Sequence, residues 1–295
     1  MSNKGKELKD LLQKDEAVIA PGAYDAISAK LIEKVGFSAV YMTGYGVAGS
    51  LIGRPDIGLI SLREMAQQAE NLVLSIDVPL IADADNGYGN ELNVARTVEL
   101  YEKAGVAAIQ LEDQVSPKKC GHMDNKSIIP YDEAVKKVRA ATRARSDSNT
   151  LIIARTDARA VEGIDDALRR CFAFAEEGAD IIFFEAPQSV EEIELVANEL
   201  KGVTLMANMV ETGKTPLLTA RELNSLGYKL IIWPITTLLS GLKAMEESLR
   251  ELIANGISKP SNKKYTFHQY TDLIGLNEQL QLSNLLIKEK GGKTK

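Results

Sequence analysis

The chain has 295 residues, of which 45% are hydrophobic and 26% are charged, and its formal net charge is −6. That length fits two ordinary domains or one α/β barrel, and the mild acidity argues against a nucleic-acid-binding surface, which would carry a basic patch. No apolar run is long enough to span a bilayer, and the two cysteines, Cys120 and Cys171, are too few for a disulfide framework and fit a reducing, cytoplasmic compartment.

Eight short apolar runs follow one another along the chain, and helix-length segments separate them. Most of the runs are continuously apolar, which is typical of strands covered on both faces. Gly36, Gly105, Gly178 and Gly227 each stand between a predicted helix and the next run, where glycine suits the left-handed end of a helix. The predicted strands are 17–20, 39–42, 79–82, 107–111, 151–154, 181–184, 204–206 and 230–233, and the clearest predicted helices are 61–74, 91–103, 131–144, 165–177 and 190–200.

This alternation predicts a single (β/α)₈ barrel of the TIM type over residues 1–254. An open, doubly wound sheet is the alternative, but no Gly-x-Gly-x-x-Gly turn follows the first strand. Residues 255–295 fall outside the repeat and form a predicted helical extension. Its segment 270–287 is a predicted helix, so rich in leucine and isoleucine that we expect another subunit to cover it.

Polar and ionisable side chains follow most of the predicted strands, at the end of a barrel where enzymes of this shape carry their chemistry. Asp83 and Asp85 are spaced i, i+2 after the third strand, and Glu112 follows the fourth. Three neighbouring carboxylates repel one another unless a cation neutralises them. The chain has only two histidines, so we expect Mg²⁺ held by oxygen atoms, with Mn²⁺ as the alternative metal. A helix cap or a loop acceptor is the competing interpretation of each aspartate.

The segment 116–126, after the fourth strand, is longer than an ordinary connection and suggests a lid over the site. Cys120 lies in it between Lys119 and His122, and nearby cations favour a reactive thiol. Cys120 can therefore serve as an acid, a base or a nucleophile. The competing interpretation is a small buried apolar residue, which is how we interpret Cys171.

Arg155 follows the fifth predicted strand, where a buried charge needs a partner. It can clamp a substrate carboxylate with two of its guanidinium nitrogens, or it can form a salt bridge with Asp157 or Glu185 at the barrel mouth. Asn208 and Thr43, beyond two other strands, can exchange neutral hydrogen bonds with the same ligand.

Short motifs lie at or near these strand ends. They are Tyr-Met-Thr-Gly at 41–44, Gly-Arg-Pro-Asp at 53–56, Asp-Ala-Asp-Asn-Gly-Tyr-Gly at 83–89, Leu-Glu-Asp-Gln at 111–114 and Lys-Lys-Cys-Gly-His at 118–122. Together they resemble the phosphoenolpyruvate mutase/isocitrate lyase superfamily, over nearly the whole chain. The last motif resembles the lid of the lyase branch, whose cysteine protonates a carbanion, whereas the phosphonate-processing mutases have a lid without cysteine.

The resemblance implies roles for individual residues. The implied metal ligands, partly through water, are Asp83, Asp85 and Glu112. Cys120 would be the general acid, and the general base stays open between Tyr41, Asp56 and a water molecule on the metal. The implied substrate-binding residues are Thr43, Gly44, Lys119, Gly121, His122, Arg155, Glu185 and Asn208. The resemblance also implies a homotetramer of two dimers, in each of which the final helices are swapped between subunits.

The chemistry that the resemblance implies is a magnesium-dependent carbon–carbon lyase reaction. A 2-hydroxy dicarboxylate or tricarboxylate, of the 2-methylisocitrate, 2,3-dimethylmalate or 2-alkylmalate type, would be cleaved by retro-aldol or Claisen chemistry to pyruvate and a carboxylate. Three alternatives stay open: hydrolysis of oxaloacetate, mutase or hydrolase chemistry at a phosphorus–carbon bond, and a barrel that has lost catalysis and only binds. Neither nucleic acid nor a membrane is an expected partner.

Overall fold

The computed structural model of the chain describes residues 3–121, 123 and 125–287. Within them, eight parallel strands form a closed barrel in which each strand pairs with its neighbours in the chain and β8 pairs with β1. The predicted (β/α)₈ fold is therefore confirmed. The strands are β1 Val18–Ala23, β2 Val40–Met42, β3 Leu80–Asp83, β4 Ala108–Glu112, β5 Leu151–Thr156, β6 Ile181–Phe184, β7 Leu205–Asn208 and β8 Tyr228–Trp233.

Helices separate the strands and continue beyond the last one, and a short 3₁₀ helix, Ala158–Ala160, follows β5. The α-helices are α1 Lys4–Leu12, α2 Ala26–Val35, α3 Gly44–Ile52, α4 Leu62–Val73, α5 Glu91–Ala104, α6 Tyr131–Ala144, α7 Ile164–Glu176, α8 Val190–Glu199, α9 Ala220–Leu226, α10 Thr236–Asn255, α11 Phe267–Leu273 and α12 Leu276–Ile287. The helices expected at 61–74, 91–103, 131–144, 165–177 and 190–200 correspond to α4 to α8, and no end differs by more than one residue.

Local sequence signals account for where these helices begin and end. Asp25 caps α2 through a reciprocal pair of hydrogen bonds with Ser28, and Ser61 caps α4 in the same way. Gly36 ends α2 and Gly105 ends α5, with φ of 107° and 87°, as predicted for left-handed helix ends. Each glycine turns the chain towards the strand that follows.

The strands are buried on both faces, as expected for a barrel surrounded by helices. Ile81, Ile153 and Phe183 belong to one buried apolar cluster, and Leu80 and Ala82 belong to a second cluster that includes helix residues. Because successive side chains in a strand point to opposite faces, the first cluster fills the barrel and the second packs between strands and helices. The barrel interior is thus a packed core, and the polar strand ends lie at its carboxyl end.

The chain forms two compact units, Met1–Ser240 and Gly241–Lys295; the domain bounds 1–254 and 255–295 stay a prediction. Within the second unit, the segment expected to be one helix over 270–287 is two helices, which are separated at Gly275 with φ of 74°. Large apolar side chains on α12 are exposed, among them Leu285 at 66% and Leu286 at 76%. No described helix is both long and apolar enough to cross a membrane.

Candidate active site

A cavity of about 210 Å³ lies at the carboxyl end of the barrel. The predicted site residues that line it are Tyr41, Thr43, Asp56, Asp83, Glu112, Lys119, Cys120, Gly121, Arg155, Glu185 and Asn208. Gly44 and Asp85 lie just behind this lining, since the backbone of each contacts Asp83. His122 lies outside the described residues. The structure therefore brings together side chains that the sequence placed on separate strands.

Asp83 ends β3 with a carboxylate that backbone groups hold in place. Its Oδ2 lies 3.3 Å from the backbone nitrogen of Gly44 at the start of α3, and its Oδ1 lies 3.1 Å from the backbone nitrogen of Asp85. A helix amino terminus stabilises negative charge. Thr43 caps the same helix by accepting a hydrogen bond from the backbone of Gly46. The N–H of Gly44, expected to reach a substrate, is thus directed at Asp83.

Lys118, a lysine that we did not predict as a site residue, lies among these carboxylates. Its Nζ is 2.6 Å from Oδ1 of Asp56 and 2.7 Å from Oδ1 of Asp85, and its side chain is 4% exposed. Burial alone would lower the pKa of Lys118, but Asp85, Asp83, Asp56 and Glu112 raise it well above its ordinary value. Burial raises the pKa of Asp85 to about 7 although Lys118 lowers it. Lys118 is therefore a permanent cation at this edge of the cavity.

Glu112 ends β4, and its carboxylate is buried. Its Oε2 lies 3.4 Å from Nη1 of Arg155, whereas its Oε1 is buried and accepts no hydrogen bond from the residues that the structure describes. Burial raises the pKa of Glu112 well above its ordinary value, and Arg155 offsets only part of that shift. A buried carboxylate oxygen without a donor is unfavourable, so the site favours a further positive or hydrogen-bonding group beside Glu112.

Arg155, on β5, is held by acidic side chains while its guanidinium lines the cavity. Its Nε lies 2.9 Å from Oδ2 of Asp157 and its Nη2 lies 3.1 Å from Oδ1 of the same residue. Oε1 of Glu185 is 3.7 Å from Nη2, and Asn208 donates a hydrogen bond to Glu185. The salt bridges that the sequence suggested as the alternative to a substrate clamp are therefore present. They orient the guanidinium without withdrawing it from the cavity.

The loop after β4 presents Cys120 and Gly121 to the cavity. Gln114 fixes the loop, because its side chain donates to the carbonyl of Lys119 and accepts from the backbone nitrogen of Lys119. Nζ of Lys119, expected to bind substrate, donates to the carbonyl of Asn125 within the same loop at 2.8 Å. Gln114, at the start of the loop, therefore holds the backbone next to Cys120.

Tyr41 is one of the two side chains that the sequence offered as a general base. Its Oη donates a hydrogen bond to Oε1 of Gln110 at 3.1 Å, and Gln110 in turn donates to Asp83. Burial, with a further contribution from Asp83, raises the pKa of Tyr41 well above its ordinary value. The phenol therefore stays protonated at neutral pH, and this favours Asp56 over Tyr41 as the base.

The carboxylates at this end of the cavity would suit a bound Mg²⁺ through their oxygen atoms. Among the described residues, no three His, Cys, Asp or Glu side chains converge closely enough to hold a metal ion directly. The donors are nevertheless all carboxylate oxygens, which Mg²⁺ prefers, and Oε1 of Glu112 is a buried oxygen that a cation would satisfy. The residues able to hold the ion are Asp83, Asp85 and Glu112.

Three further buried residues organise the site and were missed as site residues in the sequence. Lys118 stands inside the lid motif, but nothing in its neighbours indicates that it is buried. Asp157 was predicted only as a possible salt-bridge partner of Arg155, although its i, i+2 spacing from Arg155 puts both side chains on one face of the chain. Lys126 is the last residue of the predicted lid segment, and its side chain is 1% exposed.

The chain is similar to known proteins over most of its length. Residues 8–253 match the family model described as phosphoenolpyruvate phosphomutase. The chain is 47% identical over 277 residues to 2,3-dimethylmalate lyase of Eubacterium barkeri, which covers 94% of this chain and 96% of that protein. It is 46% identical over 275 residues to 2-methylisocitrate lyase of Aeropyrum pernix, with coverage of 93% and 88%.

Solved structures show the same similarity. A crystal structure of 2,3-dimethylmalate lyase superposes with a TM-score of 0.93 at 36% identity and covers 100% of this chain and 99% of that one. Phosphonopyruvate hydrolase, solved as a complex with oxalate and Mg²⁺, superposes with a TM-score of 0.88 at 27% identity and covers 97% and 100%.

Proposed function

Because the chain belongs to the phosphoenolpyruvate mutase/isocitrate lyase superfamily and is a carbon–carbon lyase, we propose that it cleaves the C2–C3 bond of a 2-hydroxy acid with two or three carboxylates. When C2 carries a methyl group, the products are pyruvate and a second carboxylate, and the reaction depends on Mg²⁺. The observation that carries this proposal is the cavity that Cys120 and Arg155 share with Asp83 and Glu112.

In this proposal Asp83, Asp85 and Glu112 hold the metal. A bound Mg²⁺ would supply a Lewis acid that makes the substrate's 2-hydroxyl more acidic. The surroundings of these carboxylates favour a bound cation. The backbone N–H of Gly44 in α3 donates to Asp83, and Oε1 of Glu112 lacks a donor among the described residues.

We assign removal of the 2-hydroxyl proton to Asp56. Its carboxylate lines the cavity, and its Oδ1 lies 2.6 Å from Nζ of Lys118. The ammonium holds this carboxylate in position at the cavity wall. Tyr41, whose phenol stays protonated, acts instead as a hydrogen-bond donor.

Arg155 and Cys120 act on the fragment that leaves. Breaking the C2–C3 bond leaves its electron pair on C3, from where it delocalises into the neighbouring carboxylate. The guanidinium of Arg155, oriented by Asp157, stabilises the charge that develops there. The thiol of Cys120 then transfers its proton to C3 and becomes a thiolate, which regains a proton from solvent after product release.

The rest of the cavity favours an alkyl-substituted dicarboxylate over a tricarboxylate. Phe183, Val210, Ile232 and Ile235 contribute apolar surface, and Glu211 contributes a carboxyl group. A third substrate carboxylate would lose water against the apolar side chains and would be repelled by Glu211. A methyl group there gains roughly 0.8 kcal/mol from burial. We therefore place 2,3-dimethylmalate or another 2-methylmalate ahead of 2-methylisocitrate.

The test is a turnover screen of 2-hydroxy diacids and triacids with Mg²⁺, read as pyruvate formation. We expect pyruvate from 2,3-dimethylmalate in preference to 2-methylisocitrate, no turnover after chelation with EDTA, and a loss of about 10²–10⁴-fold in kcat for Cys120→Ala. Cys171→Ala, which removes the other thiol, is the matched control and keeps activity. Undiminished turnover in Cys120→Ala would exclude the acid role.

Other outcomes identify the alternatives. Oxalate formed from oxaloacetate identifies a hydrolase, and a changed phosphorus NMR signal of phosphonopyruvate identifies chemistry at the phosphorus–carbon bond. Failure of every substrate, together with no Mg²⁺ binding in a calorimetric titration, would leave a barrel that only binds.

We also propose a cytoplasmic homotetramer of two dimers with swapped final helices. In the first unit, a groove of about 420 Å³ is lined by apolar side chains that include Leu31, Val35 and Trp233, and Val35 is 74% exposed. Exposed apolar surface of this kind favours cover by a helix of another copy. Light scattering should give the mass of four chains, and the mass of one chain would contradict the assembly.

A further inference from the structure

Lys126, at the end of the loop that carries Cys120, is buried although it is a lysine. Its side chain is 1% exposed, and its Nζ lies 2.6 Å from Oδ1 of Asp157 and 2.5 Å from the carbonyl oxygen of Gly121. Burying an ammonium is unfavourable unless an opposite charge and good hydrogen bonds compensate. Here the compensating groups lie on both sides of the site, one in the loop and one on the barrel.

Asp157 joins Lys126 to Arg155. Its Oδ1 contacts both Nζ of Lys126 and Nη2 of Arg155, while its Oδ2 contacts Nε of Arg155. The carboxylate is fully buried, and the backbone nitrogen of Asp157 donates to Asp113 at 2.9 Å, which fixes its position. One rigid carboxylate thus holds a cation of the loop and the guanidinium that lines the cavity.

We infer that Lys126 is a positioning residue. Its hydrogen bond to the carbonyl of Gly121, which we call the latch, holds Gly121 and Cys120 over the barrel mouth, where Arg155 also lies. The latch itself rests on these contacts, and its benefit for protonation by Cys120 rests on the proposed function. When the loop leaves the barrel mouth, Lys126 loses the Gly121 carbonyl and keeps a buried charge with less compensation. The closed position of the loop is therefore favoured.

A lysine that only neutralised Asp157 would behave differently. Its loss would lower the stability of the fold, but it would not change how often Cys120 is exposed to solvent. The exposure of Cys120 in the native state therefore distinguishes a latch from a structural ion pair.

Alkylation of the native protein by a neutral maleimide measures that exposure without any substrate. The chain has two cysteines and Cys171 is fully buried, so the reaction reports Cys120. Lys126→Met keeps the length of the side chain and removes its charge, and Lys136→Met, at an exposed position on α6, is the matched control. We expect alkylation about tenfold faster in Lys126→Met, as loss of a charge-assisted hydrogen bond predicts, and an unchanged rate in Lys136→Met.

Thermal unfolding, measured alongside, shows whether each variant is folded at the temperature of the assay. A folded Lys126→Met protein that is alkylated at the wild-type rate would overturn the inference. If Lys126→Met does not fold, Asp157→Asn, which removes the charge that holds Lys126, goes through the same assay with the same two outcomes. Because the assay uses no substrate, failure of the proposed lyase reaction would leave its result unchanged.

Discussion

Replacement of Gly121 by alanine should disable the site while the fold stays intact. A Cβ added at Gly121 would lie 2.0 Å from Oε1 of Glu185 and 2.4 Å from Nη2 of Arg155, whereas ordinary contacts of a Cβ begin at 3.4 Å. Either the loop or one of these two side chains must therefore move by about 1.4 Å.

Neighbouring groups hold both side chains in place. The side chain of Glu185 is 1% exposed and that of Arg155 is 8% exposed, and both are held by ion pairs or hydrogen bonds. The loop must shift instead, and Cys120 shifts with it. A misplacement of about 1 Å in an active site lowers the rate about 10²-fold, so we expect a fall of that size in kcat/KM. The φ of Gly121 lies outside the left-handed region, so the midpoint of thermal unfolding should stay close to that of the wild type.

The assay is pyruvate formation from the best substrate of the screen, with thermal unfolding measured on the same samples. Gly49→Ala is the matched control, because Gly49 is exposed on α3 and an added Cβ meets no described atom within 4 Å. That variant should keep wild-type turnover. An unchanged kcat/KM in Gly121→Ala would refute the reasoning that the loop packs on Glu185 and Arg155 during the reaction.

Three further predictions concern the metal, a buried ion pair and acid stability. Gly44→Ala puts a Cβ 2.5 Å from Oδ2 of Asp83, so calorimetry should show Mg²⁺ binding weakened about 10–100-fold; an unchanged affinity would remove Asp83 from the metal site. Arg170→Met leaves buried Asp113 without the guanidinium 3.1 Å away and should lower the free energy of unfolding in urea by about 3–5 kcal/mol, whereas Arg143→Met, at an exposed position of α6, should not. Burial raises the pKa of Asp157, but Arg155 and Lys126 lower it to about 2 from the ordinary 3.8. Its contribution to stability is therefore complete above pH 3.8 and is lost as the pH falls towards 2. If the stability of Asp157→Asn fell with pH in this range just as that of the wild type does, the reasoning would be contradicted.

The barrel could be predicted because each strand is a run of apolar residues that must be covered on both faces. The strand ends were less predictable. β1 continues through Pro21 and Gly22, and β3 includes Asp83. Backbone pairing in a closed barrel continues after the apolar side chains stop, and a hydropathy pattern does not record that pairing.

The site was predictable where the barrel fixes it and not where loops do. Glu112 and Arg155 meet because neighbouring strands pair in register, with Glu112 opposite Arg155. Lys118 and Asp56 meet because two separate loops fold towards each other, and neither loop carries a pattern that indicates the contact. The break at Gly275 is a different case, since the glycine was visible in the sequence but the leucine-rich segment around it suggested one continuous helix.

The pairing of β8 with β1 also governs how this protein can aggregate. An edge strand offers unpaired backbone N–H and C=O groups to other chains, and among the strands that the structure describes none is left at an edge. Native molecules cannot add to one another by strand pairing, so cross-β growth requires the barrel to open first. Aggregation of that kind should follow the rate of global unfolding, and any conditions that keep the barrel closed should suppress it.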